Sequence, residues 1–335
     1  MSKMGIGKIP NSVLKRIVLS QLGVSDPDVL VGPGIGEDAA IIRHCGGGLA
    51  FKSDPITGSV EEVGTLAVYV NANDIASRGA VPRWFLGCIL LPQGSGESDL
   101  DRICKQIDSA AKELGIAVVG GHTEVTDGTT RPIVVGSMIG VTKNNRFITT
   151  GGASPGDAVY MTKAAGIEGT VILSSEPKIE RSLGESFVKR CKSMLPKVSV
   201  VSECMLLADQ EGVTSMHDVT EGGILGCAWE IAEASSSGIL IDLSCVRVLE
   251  ETRSLCAELD LDPFRLMGSG TVMFTVKAGS EALVEKSLSE AGIPYSRIGM
   301  IREAREGRQF RDMEGGIFSI PPPGSDELWR ARTKG

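Results

Sequence analysis

The order of helical and extended patterns along the chain excludes one continuous doubly wound parallel sheet. In the first half, apolar residues recur at helical spacing in some segments and form short apolar or alternating runs in others. The predicted helices are 11–22, 61–79 and 98–114. The predicted strands are 39–42, 49–53, 85–92, 116–121 and 132–141. Because helices and strands do not alternate strictly, we predict an α+β or mixed α/β fold.

A change in composition near residues 149–157 predicts a boundary between two domains. This segment reads TTGGASPGD and is rich in Gly, Ser and Pro, and a strand pattern begins again directly after it. A length of 335 residues also fits two domains, which we place at 1–150 and 151–335. The predicted strands of the second half are 158–162, 238–242 and 271–277. Its predicted helices lie near 183–193, 199–211, 222–235 and 280–291.

Composition and charge narrow the class of protein. The formal net charge is −8 and no Lys/Arg-rich run is present, so we expect no nucleic-acid partner. No apolar run approaches the roughly 18 residues of a membrane span, and the first residues lack the apolar core of a signal peptide. Three histidines and eight cysteines without a CxxC pair argue against a zinc site. We therefore expect a cytoplasmic protein without a membrane partner.

The segment GPGIGEDAA, residues 32–40, looks like a phosphate-binding loop, but its spacing is wrong. Its glycines stand at 32, 34 and 36, whereas a dinucleotide fingerprint reads GxGxxG and opens a helix. The following residues, DAAII, are typical of a strand, and the Gly-Lys-Ser/Thr of a P-loop is absent. The informative residues of this segment are therefore its acids rather than its glycines.

Acidic residues occur at several turns and strand ends, from which side chains can converge. They are Asp38, Asp54, Asp74, Glu124, Asp218 and Glu221. Asp74 differs from the rest because it falls on the apolar face of the helix predicted over 61–79. Mg²⁺ prefers oxygen ligands and commonly bridges carboxylates to substrate phosphates. Each acid also has a local interpretation as a turn residue or helix cap, so spacing alone leaves the metal site a hypothesis.

Six short motifs in a fixed order carry a resemblance to the aminoimidazole ribonucleotide synthetase superfamily. They are GEDAA (36–40), SD (53–54), NDIASRGAVP (73–82), GGHTE (120–124), SPGDAVYMTKAAGIEG (154–169) and DVTEGG (218–223). Within the superfamily the chain most resembles the HypE-like branch, which includes a carbamoyl dehydratase of hydrogenase maturation. Thiamine-monophosphate kinase is the next most similar branch.

This resemblance implies an N-terminal domain whose strands pair across a homodimer into a shared β-barrel, followed by a C-terminal α/β domain. ATP would bind between the halves, with Mg²⁺ between its phosphates and the carboxylates. The implied metal ligands are Asp38, Asp54, Asp74, Glu124, Asp218 and Glu221. The implied nucleotide-binding residues are Ser53, Gly120, Gly121, Arg146 and Thr220. Asp218 and His122 are the predicted catalytic residues.

The implied activity is the ATP-dependent phosphorylation of a carbamoyl, amide or phosphate oxygen, in a small molecule or in a modified group of a partner protein. Mg²⁺ and positioning supply most of such catalysis. The sequence departs from its relatives in three places: it ends LWRARTKG without the terminal cysteine of HypE, it has His122 where HypE and the kinase have an acid, and 266–276 lacks the kinase's acidic sequence. Two alternatives stay open, a non-catalytic nucleotide-binding assembly partner and a thiamine-monophosphate kinase.

Overall fold

The computed structural model describes residues 6–143 and 146–333, and its first half forms a six-stranded mixed sheet. The strands are β1 Val29–Val31, β2 Ala40–His44, β3 Gly47–Ile56, β4 Ala80–Pro92, β5 Ala117–Thr126 and β6 Ile133–Thr142. Their order in the sheet is β1-β2-β3-β6-β4-β5. Only β4 and β5 run parallel. The helices of this half are α1 Asn11–Val13, α2 Val63–Ser77 and α3 Glu97–Glu113.

The second half forms a seven-stranded sheet in the order β13-β12-β9-β11-β7-β10-β8. Its strands are β7 Ala158–Thr162, β8 Val213–Asp218, β9 Gly238–Asp242, β10 Val272–Val276, β11 Tyr295–Arg302, β12 Arg308–Arg311 and β13 Ile317–Ser319. Its helices are α4 Ile167–Ser174, α5 Pro177–Leu183, α6 Glu185–Lys192, α7 Val201–Ala208, α8 Gly223–Ala234, α9 Glu250–Leu259, α10 Glu281–Glu290 and α11 Glu327–Thr333. The mixed α/β fold predicted from the sequence is confirmed.

Helix α2 connects the two halves. All fifteen of its residues are buried, not only the single face that its spacing predicted. Its polar residues are satisfied on both sides: Asn71 Oδ1 accepts the Asp54 N–H at 2.9 Å, and Asn73 Oδ1 accepts the Val200 N–H at 2.8 Å. Each of these buried amides is hydrogen-bonded to the backbone of another segment, and such a bond fixes the position of the helix against that segment. The first sheet and the start of α7 are therefore held to one helix.

The helix predicted over 11–22 is wrong in extent and in packing. The α-helical turn Asn11–Val13 continues as a π-helical turn, Leu14–Val18, and ends there. Leu14 packs against the core of the second half, but Ile17, Val18 and Leu22 are exposed. Helical spacing predicts an apolar face correctly only when another element covers that face, and in the described chain nothing covers this one.

Several elements were not predicted from the sequence: β1, α4, α5, α9, α11, β11, β12 and β13. In α4 every residue is buried, so its sequence shows no contrast between an apolar and a polar face. The tail after residue 303 has a polar, Gly/Pro-rich composition, yet its last helix buries Leu328, Trp329 and Ala331. Leu14 packs against a core cluster of the second half, whereas α11 joins a cluster that contains residues of both halves. The boundary at 150/151 stays a prediction.

The first sheet is open in the single chain, so the described residues contain no closed barrel. Strand β5 forms one of its two edges, and nine of its ten residues are exposed. Among the described residues, no helix combines the length and the apolar character that crossing a membrane requires.

Candidate metal and nucleotide site

Four of the predicted acids lie together between the two sheets. Asp54 lies near the end of β3 and Asp74 in α2, and the Nζ of Lys52 joins them, 3.2 Å from Asp54 Oδ2 and 3.3 Å from Asp74 Oδ1. Asp38 precedes β2 and Asp218 ends β8. A second group consists of Asp38, Asp218 and His217. Each offers one ligand atom, and the three atoms lie within 4.8 Å of one another. The glycine-rich turn at 32–36 thus delivers Asp38 to the site.

Both carboxylate oxygens of Asp38 already have protein partners. Its Oδ1 lies 2.7 Å from His217 Nδ1, and its Oδ2 accepts hydrogen bonds from Ser77 Oγ at 2.8 Å and Arg78 Nη2 at 2.9 Å. Burial opposes the charged form, but His217 and Arg78 outweigh it and hold the pKa of Asp38 below its ordinary value. Asp38 therefore organises its neighbours as an ionised carboxylate, and its role as a metal ligand stays a prediction.

Arg78 is fully buried and links the end of α2 to the second half. Its guanidinium donates to Glu37 Oε2 at 2.6 Å, to Thr150 Oγ1 at 3.0 Å and to the Met216 carbonyl oxygen. Glu37 Oε1 in turn accepts the Gly151 N–H at 3.3 Å. The two acids of GEDAA are therefore fixed by one arginine that also contacts β8.

His217 bridges two acids and carries a positive charge. Its Nδ1 faces Asp38 and its Nε2 lies 2.9 Å from Glu230 Oε2, with the ring almost fully buried. Burial lowers the pKa, but the charge and hydrogen bond of Asp38, followed by those of Glu230, raise the pKa of His217 to about 10. Both ring nitrogens of His217 therefore face a carboxylate, so the ring lies between Asp38 and Glu230.

Asp218 and Asp74 retain free oxygens that face the cluster. Asp218 is fully buried, and within the described chain neither of its oxygens has a hydrogen-bond partner; the same holds for Asp74 Oδ2. Burial and then the charge of Asp38 raise the pKa of Asp218 to about 7, and burial raises the pKa of Asp74. Buried, unpartnered carboxylate oxygens are costly unless a cation meets them. These oxygens fit the hard-ligand chemistry of Mg²⁺.

Glu221 and Thr220 lie beside this cluster but are engaged by both ends of the chain. Glu221 Oε1 accepts from Trp329 Nε1 and Oε2 accepts the Lys8 N–H, both at 2.9 Å. The Lys8 Nζ donates to Thr220 Oγ1 at 3.1 Å. The roles assigned to Thr220 and Glu221 stay predictions.

Ser53 and Arg146 make local contacts in this structure. Ser53 Oγ donates to the Gly136 carbonyl oxygen at 2.9 Å, so it links β3 to β6. Arg146 donates to the Gln210 carbonyl oxygen at 2.8 Å and lines a separate pocket of about 150 Å³ with Gly79 and Lys143. That pocket does not include the acid cluster, and the nucleotide-binding roles of Ser53 and Arg146 stay predictions.

The GGHTE motif lies on the edge strand β5, away from the acid cluster of its own chain. Asp54 pairs with Gly136, Gly136 with Gly87, and Gly87 with Gly121. Those three strand spacings amount to about 14 Å. A Cβ on Gly121 would lie 2.0 Å from the Gly87 carbonyl oxygen, so the glycine permits the close approach of β4 and β5. Gly120, beside it, has space for a Cβ.

His122 and Glu124 are exposed on β5 and contact each other, with Nε2 and Oε2 3.2 Å apart. In the single chain they do not join the metal-binding group formed by Asp38, His217 and Asp218. Their predicted catalytic and metal roles therefore require that β5 of one copy reach the acid cluster of another copy.

The sequence did not single out Lys52, Arg78, Lys8 or Glu230. Lys52 stands directly before the SD motif and Arg78 stands within NDIASRGAVP. Their place beside the predicted acids could have identified both residues. Lys8 and Glu230 gave no such signal, because only the fold places Lys8 Nζ 3.5 Å from Glu230 Oε1, between sequence positions more than two hundred residues apart.

A second buried carboxyl, Glu168, predicts a pH dependence of stability. Burial raises its pKa to about 7, the nearby Ser269 opposes this rise, and the charges of Asp326 and Glu221 add to it. A raised carboxyl pKa favours the protonated folded form. Glu168 should therefore contribute a loss of about 3 kcal/mol in unfolding free energy as pH rises from about 4.5 to about 7. Glu168→Gln should remove this contribution, so its unfolding free energy, measured with urea across that range, should fall by about 3 kcal/mol less than that of the wild type.

The matched control for Glu168→Gln is Glu185→Gln on α6, whose carboxylate is exposed. It should keep the wild-type pH profile. An unchanged profile in Glu168→Gln would contradict the assignment of the loss to Glu168.

Fold and site together define a class of protein: two mixed halves joined by a buried helix, with carboxylates from both halves meeting between them. Residues 36–142 match the N-terminal domain of AIR synthase related proteins, and residues 154–310 match their C-terminal domain. The chain belongs to this family, as its motifs suggested.

Three curated relatives show the branches that the chain resembles. A Methanocaldococcus jannaschii protein, provisionally named a hydrogenase expression/formation protein, is 29% identical over 92% of this chain and 94% of its own. The carbamoyl dehydratase HypE of Cupriavidus necator is 29% identical over 88% of this chain and 85% of its own. The thiamine-monophosphate kinase of Pyrococcus horikoshii is 27% identical over 80% of this chain and 83% of its own.

Solved structures share the fold. HypE in a HypE–HypF complex aligns with a TM-score of 0.76 at 21% identity, covering 93% of this chain and 100% of that chain. HypE in complex with ATP aligns at 0.72 and 22%, covering 97% and 98%. AaThiL, complexed with AMPPCP and TMP, aligns at 0.75 and 19%, covering 97% and 99%. The similarity to both branches over nearly the whole chain confirms the two-domain architecture.

Proposed function

We propose that this protein is an ATP- and Mg²⁺-dependent enzyme that activates a carbamoyl, amide or phosphate oxygen of its substrate by phosphoryl transfer. The observation that carries the proposal is a pair of buried carboxylates beside Lys52 and Asp54: within the described chain, Asp218 has no partner on either oxygen, and Asp74 has none on its Oδ2. A HypE relative binds ATP and a ThiL relative binds an ATP analogue on the same fold, which supports the assignment of the nucleotide.

The chain's own residues supply positioning and charge. Asp218 and Asp74, beside Asp54, would hold Mg²⁺, and the ion would supply positive charge against the transferred phosphoryl group. Arg78 and His217 fix Asp38 and keep the wall of the site rigid. Lys8 adds a positive charge beside Thr220 at the side of the cluster that the N-terminal segment covers.

Cys256 is unsuited to be the acceptor. It lies buried in α9, and burial raises the pKa of its thiol to about 12. A thiol in that state does not carry the reacting group to the site. We propose that the substrate is a small molecule or a modified group on a partner protein, and that the reaction takes place in the cytoplasm.

A screen for ADP release tests the proposal directly. The full-length chain is incubated with ATP and Mg²⁺ and with a panel of carbamoyl compounds, primary amides and phosphate esters, including thiamine monophosphate. We expect multiple turnovers with one acceptor class and none with EDTA. If the protein binds ATP but does not turn it over, even with the partner protein of a HypE-like pathway present, the result would favour a non-catalytic assembly partner. Formation of thiamine diphosphate would favour a thiamine-monophosphate kinase.

We also propose that the protein is a homodimer that covers β5. This edge strand exposes Val118, Val119 and Val125 by 51%, 54% and 59%, and unpaired apolar edges usually meet a partner. Pairing across the dimer also offers His122 and Glu124 to the other copy, which fits their distance from the acids of their own chain.

Val119→Arg should convert the dimer to a monomer. Two like charges facing each other across a two-fold interface cost several kcal/mol, so the dimer dissociation constant should rise by at least about 100-fold. Light scattering after size-exclusion chromatography measures the change. Leu283→Arg, at an exposed apolar residue of α10, is the control and should stay dimeric. A dimeric Val119→Arg protein would place the interface elsewhere.

Mixing two inactive variants tests whether the site is shared between copies. If β5 of one copy completes the site of the other, Asp218→Asn and His122→Ala chains should regain partial ADP release when they form mixed dimers. No recovery in confirmed mixed dimers would mean that each site uses residues of one chain only.

A further inference from the structure

Lys52 lies where a carboxylate cluster holds a cation. It precedes Asp54 by two residues on β3, so both side chains leave the same face of the strand. Helix α2 brings Asp74 to that face, and the Lys52 Nζ lies between the two carboxylates at 3.2 and 3.3 Å. Its side chain is only 20% exposed, so solvent screens these contacts weakly.

The formal charges around Lys52 leave room for one divalent ion. Asp38 is neutralised separately, because it has His217 on one oxygen and Ser77 with Arg78 on the other. Asp54 and Asp74 share the charge of Lys52, which leaves one net negative charge. Asp218 adds a second when ionised, and its oxygens have no partner in the described chain. One divalent cation balances the two.

Asp218 and Asp74 also lie near each other, since the charge of Asp218 is one of the causes that raise the pKa of Asp74. Asp74 uses Oδ1 for Lys52 and keeps Oδ2 unpartnered, and Asp218 keeps both of its oxygens. The two residues are at most 2% exposed. Buried acceptors without partners point to a bound cation rather than to solvent.

We propose that Lys52 is a resident cation of this site, so that the cluster binds a single divalent ion through Asp218 and the free oxygen of Asp74. The ammonium group takes the second cation position that Asp54 and Asp74 would otherwise offer. This inference rests on the proposed Mg²⁺ site. It adds the number of divalent ions that the site binds and identifies Lys52 as the residue that limits this number.

Mn²⁺ binding to the nucleotide-free full chain tests the count without any turnover. The electron paramagnetic resonance signal of free Mn²⁺ gives the number of ions bound. Wild type and Lys52→Arg should bind about one ion per chain. Lys52→Ser and Lys52→Gln should bind about two, since each frees two carboxylates for a second ion. Lys105→Ser, which removes an exposed lysine paired with Asp101, should stay at one.

Two results would overturn the inference: two ions bound by the wild type, or no second ion in folded Lys52→Ser and Lys52→Gln chains. Thermal unfolding verifies folding of each variant, and Lys52→Gln keeps the test open where Lys52→Ser does not fold. A different result would contradict the proposed function itself. If the wild type binds no Mn²⁺ and Asp218→Asn behaves identically, the carboxylates do not form a metal site at all.

Discussion

Replacing Asp218 with asparagine should lower ATP turnover by at least about 100-fold. Changes to residues that merely orient metal ligands already cost 10–100-fold in activity or metal affinity, and Asp218 has two unpartnered oxygens in the described chain, one of which lies within 4.8 Å of ligand atoms of Asp38 and His217. Asparagine keeps the shape and removes the charge that holds Mg²⁺. The measurement is ADP release with the acceptor found in the screen, together with Mg²⁺-dependent ATP affinity, which needs no acceptor.

The stability of the Asp218→Asn protein separates loss of a ligand from loss of the fold. Because Asp218 is a buried carboxylate without a partner, the neutral variant should be at least as stable as the metal-free wild type. Asp209→Asn is the control, since Asp209 forms an exposed pair with Lys143 and should leave activity within twofold. Turnover within tenfold of wild type would show that Asp218 does not bind the metal.

Replacing Arg78 with methionine should lower the free energy of unfolding by about 3–5 kcal/mol. Removing one partner of a buried ion pair leaves the other charge uncompensated, and this typically costs that much. Here the loss affects two acids, Glu37 and Asp38, and also frees the Thr150 hydroxyl and the Met216 carbonyl oxygen. Urea unfolding at neutral pH measures the change.

Two further variants show whether the geometry of Arg78 matters beyond its charge. Arg78→Lys should recover only part of the loss, because an ammonium group cannot reproduce a planar guanidinium with several acceptors. Arg43→Met removes an exposed arginine 4.0 Å from Asp28 and should cost less than about 1 kcal/mol. An Arg78→Met protein destabilised by less than that would mean that the buried network contributes little.

The spacing of apolar residues predicted the long amphipathic helix α3 well. Helix α3 matches the segment predicted from its spacing to within one residue at each end, because one face packs and the other is solvated. The same reasoning failed for α4, which is buried all round, and for Leu14–Val18, whose apolar residues nothing in the described chain covers. Periodicity shows only a contrast between an apolar and a polar face. Helix α4 has no such contrast, and the apolar face of Leu14–Val18 is not covered by another element of the described chain.

The candidate site was predictable only in part for a related reason. Motifs named Asp38, Asp54, Asp74 and Asp218, and these four residues do converge. Motifs could not show that both oxygens of Asp38 already contact His217 and Arg78, or that His122 and Glu124 lie on an exposed edge. Hydrogen-bond partners and sheet edges depend on contacts between distant segments.

The sequence by itself determined the family, the mixed fold and the acids that supply the chemistry, because these depend on residue identity and on local order. Tertiary structure alone decided which of those acids keep free oxygens. Asp218 and Asp74 have them because burial removes water while the fold gives them too few donors. It also placed Lys52 between two carboxylates, and that placement sets how many cations the cluster can accept.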